Sequence, residues 1–93
     1  MMIEFNSLRD LLIFNIKYYR YVNGFSQEKL AELANISSRY MTDVERGKHC
    51  PTINKLERTA KALNVEPFVL FQNIERDENI VTRMISARQY NQK

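Results

Sequence analysis

The chain has 93 residues, of which 44% are hydrophobic and 27% charged, and its formal net charge is +3 at pH 7. This composition excludes a disordered chain, and the length allows one small domain with a modest core. The mild positive charge is compatible with a nucleic-acid partner without requiring one. One cysteine, Cys50, excludes an internal disulfide framework, and no apolar run is long enough for a signal peptide or a membrane span. A cytoplasmic protein is therefore expected.

The first helix is predicted to run from about Leu8 to Asn23, in a chain with only two glycines and two prolines that favours an all-α fold. Ser7 and Asp10 fit a capping box at its start, and Gly24 ends it. Apolar residues cover more than half of the circumference of this helix, which is more than packing on one side requires. Another element is therefore expected to cover its second face.

The stretch from Gly24 to Gly47 predicts two short helices joined by a tight turn. Ser26 is a suitable N-cap for one helix, which Asn35 ends by tolerating the left-handed conformation, and Ser37 caps the next. The outward face of this third helix carries Ser38, Arg39, Thr42 and Asp43. Such a polar face suits the major groove of DNA, although a merely solvated helix surface has the same composition.

Three further helices are predicted after Gly47, where Pro51 prevents continuation of the third helix. Thr52 caps a fourth helix, and Pro67 opens a short fifth one. The apolar line of the fourth helix comprises Ile53, Leu56, Ala60 and Leu63. The last twenty residues, 74–93, predict a sixth, amphipathic helix that is frayed from about Asn91. Five basic residues against one acid lie between Arg46 and Lys61, just after the polar helix face.

Enzymatic chemistry is not indicated. The sequence lacks a carboxylate pair, a nucleophile with a base, and a glycine loop for phosphate. His49 and Cys50 are adjacent but lack further ligands at metal spacing, and a zinc site would need about four. We therefore expect no catalytic residue, no metal and no cofactor.

Several short motifs follow one another without gaps between about Leu12 and Phe71. They are Arg20, Gly24-Phe25-Ser26-Gln27, Leu30-Ala31, Ile36-Ser37, Tyr40-Met41, Val44-Glu45-Arg46-Gly47, Pro51-Thr52 and Ala60-Lys61-Ala62-Leu63-Asn64-Val65. Together they resemble the Cro and lambda-repressor type helix-turn-helix family, also known as the xenobiotic response element family. The resemblance implies a compact five-helix DNA-binding domain over residues 1–73, to which this chain adds the C-terminal amphipathic helix of residues 74–93.

The resemblance also implies residue roles. The third helix would be the recognition helix, with base contacts from Ser38, Arg39, Thr42 and Asp43. Phosphate contacts would come from Gln27, Ser37, Tyr40, Arg46, Lys48, Thr52 and Asn54. An exposed arginine can bond guanine O6 and N7 together, worth about 1–3 kcal/mol of discrimination. The family usually has a neutral residue where Asp43 stands, so Asp43 either accepts from cytosine N4 or orients Arg39, one turn earlier on the same face.

Arg20 and Glu45 occupy positions that form a partly buried ion pair in the family. Glu45 follows Val44 toward the core side of its helix, where an unpaired carboxylate would be costly. We expect the pair to set the angle between the first helix and the recognition helix.

A homodimer is expected, because two DNA half-sites about one helical turn apart, roughly 34–36 Å, give adequate affinity. The candidate interface comprises Phe68, Phe71, Ile74, Ile80, Val81, Met84 and Ile85. Alternatively, the sixth helix folds back onto the first within one chain, and both arrangements are compatible.

The leading interpretation is a sequence-specific bacterial or phage transcriptional repressor that binds double-stranded DNA in the cytoplasm. A second is an antitoxin or antirepressor-like subunit whose C-terminal helix grips a partner protein. A restriction-modification controller is a close relative of the first.

Overall fold

The computed structural model describes the backbone of residues 1–90 and the side chains of residues 1–87, and all regular elements in this part of the chain are helical. They are α1 (Leu8–Val22), α2 (Gln27–Ala34), α3 (Ser38–Glu45), α4 (Ile53–Ala62), a 3-10 helix (Pro67–Phe71) and α5 (Glu78–Tyr90). The all-α prediction is confirmed. The fifth predicted helix is a single 3-10 segment, which is common in connections this short. The predicted fraying from about Asn91 lies outside the described residues.

Side-chain caps determine where the first four helices begin. Ser7, Ser26 and Ser37 each accept a hydrogen bond of 3.0 Å from the amide three residues later, and Thr52 does so at 3.3 Å. Asn35 follows α2 with φ of 56°, the left-handed conformation that allows a sharp helix end. These local signals are all present in the sequence, and the predicted boundaries agree with them.

The central core is built from α1 to α4 and the 3-10 helix. Its largest fully buried side chains include Ile16, Leu30, Met41, Leu63 and Leu70. Ile53, which the sequence places on the apolar line of α4, does not join this core, because it is 72% exposed. Ile53 is the first residue of α4, and the first turn of that helix extends beyond the core.

A second apolar cluster lies between α1 and α5. Val81 and Met84 are buried against Tyr18 of α1, with Phe14 packed beside them. The excess apolar surface of α1 is thus covered within the same chain. This packing removes Val81 and Met84 from the candidate dimer interface, because buried side chains cannot meet a second copy, whereas Ile85 remains half exposed.

Arg76, just before α5, is a buried residue that the sequence did not single out. Its guanidinium donates to Asn15 Oδ1 at 2.6 and 3.2 Å and to Asn73 Oδ1 at 2.9 Å, and it faces the rings of Phe5 and Phe14. Burial lowers the pKa of the Arg76 guanidinium, while nearby tyrosine hydroxyls act in the opposite direction. Arg76 thereby joins the N-terminal segment, α1 and the start of α5.

Candidate nucleic-acid interface

The turn between α2 and α3 holds these two helices in a fixed relation. It contains three residues, and the Ile36 amide donates to the Ala31 carbonyl at 2.9 Å, while the Ile36 side chain packs against the central core. Arg58 of α4 donates to the Asn35 carbonyl at 3.2 Å. The turn is therefore braced from inside by an apolar side chain and from outside by an arginine.

The two faces predicted for α3 are present. Met41, Val44 and Glu45 are buried, whereas Ser38 and Arg39 are exposed. Thr42 and Asp43 lie on the same outward side but are half-buried. The four predicted base-contact residues therefore share one surface, and the first turn of α3 is its most accessible part.

Asp43 lies between two cationic side chains. Its carboxylate is 3.5 Å from Arg39 Nε and 3.9 Å from Lys48 Nζ, and the Arg39 side chain is 84% exposed. The distance to Arg39 is compatible with the orienting role proposed for Asp43 from the sequence. The contact with Lys48 connects α3 to the basic loop that follows it.

The expected Arg20–Glu45 ion pair is present and buried. Arg20 donates from Nε to Glu45 Oε2 at 2.8 Å and from Nη2 to Glu45 Oε1 at 2.9 Å. The Glu45 side chain is 1% exposed, and Arg20 also donates to the Phe25 carbonyl at 3.0 Å. A two-bond pair of this kind has a defined geometry, so it holds α3 at a set angle to α1.

Gln27, predicted to contact phosphate, has both ends of its side chain engaged within the protein. Its Nε2 donates to Glu45 Oε1 at 2.9 Å, and its Oε1 accepts from the Thr42 hydroxyl at 3.0 Å. Sequence reasoning did not foresee this network, because its members come from α1, α2 and α3. Gln27 is the first residue of α2, so its backbone amide remains among those without a helical partner.

The other predicted phosphate contacts line the margins of α3. Ser37 and Thr52 cap α3 and α4 by accepting from one amide each, and the other amides in the first turn of each helix have no helical partner. Those amides and the positive end of the helix dipole suit an anion. Exposed Arg46, Lys48 and Asn54 flank them, and Tyr40 is half-buried at the edge of α3. The predicted residues therefore form a polar, basic surface around α3.

Some supporting residues were missed by sequence reasoning. The Tyr40 ring packs against His49, with ring centroids 4.9 Å apart, and Lys55 Nζ lies 4.1 Å from the centre of the same ring. Arg9 of α1 donates to the Gly47 carbonyl. These contacts join residues that are distant along the chain, so no local sequence motif predicts them.

Among the described residues, no group of three or more His, Cys, Asp or Glu side chains is placed to hold a metal ion. Cys50 is exposed and unbridged. No helix among the described residues has the length and apolar character needed to cross a bilayer.

The structure is a compact all-α domain of the DNA-binding class. Its defining features are the capped helices α2 and α3, the braced turn between them, and the polar, basic surface around α3. The chain belongs to the helix-turn-helix family of Cro/C1 type, whose family model matches residues 16–70.

Individual proteins support this assignment. The chain is 38% identical to the control protein C.SmaI of Serratia marcescens over 60 residues, which are 64% of this chain and 71% of that protein. The structure of the hypothetical transcription factor NHTF from Neisseria matches with a TM-score of 0.70 at 25% identity, covering 89% of this chain and 92% of that one. The restriction-modification controller C.AhdI from Aeromonas hydrophila matches with a TM-score of 0.62 at 32% identity, covering 64% and 91%. The protein is a DNA-binding transcriptional regulator.

Proposed function

We propose that the protein is a homodimeric transcriptional repressor that reads the major groove of double-stranded DNA with α3. The observation that carries the proposal is the exposed first turn of α3 on a helix held by the buried Arg20–Glu45 pair. A rigid helix with free donors and acceptors can place side chains on base edges reproducibly.

Base recognition is assigned to Ser38, Arg39, Thr42 and Asp43. Arg39 is the principal reader, because its planar guanidinium can bond guanine O6 and N7 together. Asp43 orients Arg39 from one turn further along α3, and the separation of 3.5 Å between their charged groups supports this role.

Phosphate binding is assigned to the surface around α3. Ser37, Tyr40, Arg46 and Lys48 would hold one strand near α3, and the start of α4, with Thr52 and Asn54, would add its free amides. Gln27 contributes through its backbone amide, since its side chain is already bonded to Glu45 and Thr42. These contacts position the protein and carry no sequence information themselves.

A dimer is proposed because one small domain makes too few phosphate contacts for strong binding at physiological salt. Phe68, on the 3-10 helix, has a side chain that is 61% exposed, and Ile85 on α5 is half exposed. Phe71, Ile74 and Ile80 are partly buried and lie near them in the chain. These five residues are the remaining candidates for the interface between two copies.

The test is selection of bound sites from random DNA, followed by Arg39→Ala on the best site. We expect loss of preference at one base pair, while binding to unrelated DNA persists. Lys48→Ala is the contrast, and it should weaken binding to all sequences alike and reduce the salt dependence by about one counterion. A uniform loss with Arg39→Ala would make it a phosphate contact. Selection of no sequence at all would overturn the proposal.

A restriction-modification controller is the second candidate, favoured by the similarity to C.SmaI and C.AhdI. A reporter gene placed behind the selected site tests the repressor proposal, because repression by the protein supports it and activation contradicts it. An antitoxin-like subunit is less well supported, since Val81 and Met84 of α5 are buried against α1 and so are not exposed to grip a partner protein. In each case the protein acts in the cytoplasm by binding, without an enzymatic step.

A further inference from the structure

Four polar side chains form one continuous chain of hydrogen bonds from α1 to the outer face of α3. Arg20 bonds Glu45, Glu45 Oε1 accepts from Gln27 Nε2 at 2.9 Å, and Gln27 Oε1 accepts from Thr42 Oγ1 at 3.0 Å. Arg20 and Glu45 are buried, whereas Gln27 and Thr42 are half-buried. The buried ion pair is thus connected to a side chain on the DNA-facing helix.

The chemistry of these groups determines the direction of every hydrogen bond. An arginine-paired carboxylate only accepts, so the Gln27 amide must present its NH2 group to Glu45. The reverse orientation would place the Gln27 carbonyl oxygen against the carboxylate oxygen at 2.9 Å. The Gln27 carbonyl oxygen therefore faces Thr42, and the Thr42 hydroxyl must supply the proton between them.

We propose that this network makes Thr42 a hydrogen-bond acceptor toward DNA and so determines which bases it can read. A free threonine hydroxyl can donate or accept, and it discriminates bases weakly for that reason. The single proton of Thr42 is committed to Gln27, which leaves only oxygen lone pairs for a base. In the major groove the adenine N6 and cytosine N4 amino groups donate, whereas guanine and thymine present acceptors. Thr42 therefore favours adenine or cytosine on the strand that it faces. This inference rests on the proposed function.

The first experiment locates the base that Thr42 touches. Thr42→Val preserves the shape and removes only the hydroxyl, and binding is measured against every single-base variant of the selected site. We expect a preference for adenine or cytosine of about tenfold or less at one position, the range of a single hydrogen bond, and its loss in Thr42→Val. Thr42→Ser, which keeps the hydroxyl, should retain it.

The second experiment tests the donor directly and leaves the protein unchanged. The preferred base is replaced by an analogue that lacks its exocyclic amino group. The affinity of the wild-type protein should fall by the same factor as when guanine or thymine replaces the preferred base. The affinity of Thr42→Val should not change. This measurement remains valid if substitutions at Gln27 disturb the fold.

The third experiment tests the role of Gln27. Gln27→Met removes both of its polar groups and frees the Thr42 hydroxyl to rotate, so guanine or thymine should become tolerated at that position. A Thr42-dependent preference for guanine or thymine in wild type would overturn the inference, as would a folded Gln27→Met variant with unchanged preference. If Thr42→Val alters no position while site selection succeeds, the inference fails and the proposed function stands.

Discussion

Glu45 shows how much one buried residue contributes to the placement of the recognition helix. Its carboxylate accepts from Arg20 and Gln27, so three helices meet at one side chain. Glu45→Gln removes the charge and leaves the Arg20 guanidinium without its counterion. We expect the free energy of unfolding to fall by about 3 kcal/mol, as measured by chemical denaturation.

Glu32→Gln provides the matched control for that substitution. Glu32 lies 3.9 Å from Lys29 on the surface of α2, where solvent screens the pair, so stability should change little. Equal melting of Glu45→Gln and wild type would mean that the buried pair does not hold the fold.

Arg76 gives a second prediction at the scale of one residue. Its planar fork satisfies Asn15 Oδ1 and Asn73 Oδ1 at once, and a lysine offers no such geometry. Arg76→Lys should lower the free energy of unfolding by about 1–3 kcal/mol, because the buried Asn15 side-chain oxygen loses its paired donors. Arg83→Lys, the same change at an exposed position of α5, should be neutral. A stable Arg76→Lys protein would show that the charge alone suffices.

The packing partner of α5 is the feature at the scale of one element that only the structure could identify. An amphipathic C-terminal helix was predicted, but its apolar residues could face α1 or a second copy, since periodicity identifies a stripe and not its partner. Val81 and Met84 are buried against Tyr18, so α5 belongs to the fold of the single chain.

A pair of substitutions on α5 tests this arrangement. Val81→Asp places a carboxylate in the cluster with Tyr18 and should destabilise the protein by about 4 kcal/mol or more. Thr82→Asp puts the same group on the exposed side of α5, outside the candidate dimer interface, and should leave the melting temperature nearly unchanged. Similar melting of the two variants would indicate that α5 does not pack on α1 in solution.

At the scale of the whole molecule, the property to test is the association of two copies into a dimer. Phe68→Asp introduces a charge on a side chain that is 61% exposed, so the monomer should remain folded. We expect analytical ultracentrifugation to show a shift from dimer to monomer. The affinity for the selected DNA site should also fall, because a monomer binds only one half-site at a time. Leu8→Asp, at the exposed start of α1, is the control for adding a charge to an exposed apolar residue. An unchanged dimer in Phe68→Asp would exclude the 3-10 helix from the interface.

The sequence by itself determined the local features of this protein. Caps such as Ser26 and Ser37, and the left-handed Asn35, act within a few residues of their own position, so the boundaries of α2 and α3 could be predicted. The Arg20–Glu45 pair was also predicted, although from a family resemblance and not from spacing.

The tertiary structure alone decided which side chains meet across helices. The link from Gln27 to Thr42, the enclosure of Arg76 and the exposure of Ile53 depend on how α1 to α5 pack in space. Local sequence patterns report the period of a helix, whereas hydrogen bonds between helices depend on interhelical angles set by the whole core. For that reason the outward face of α3 was foreseen, but the bonding state of Thr42 on that face was not.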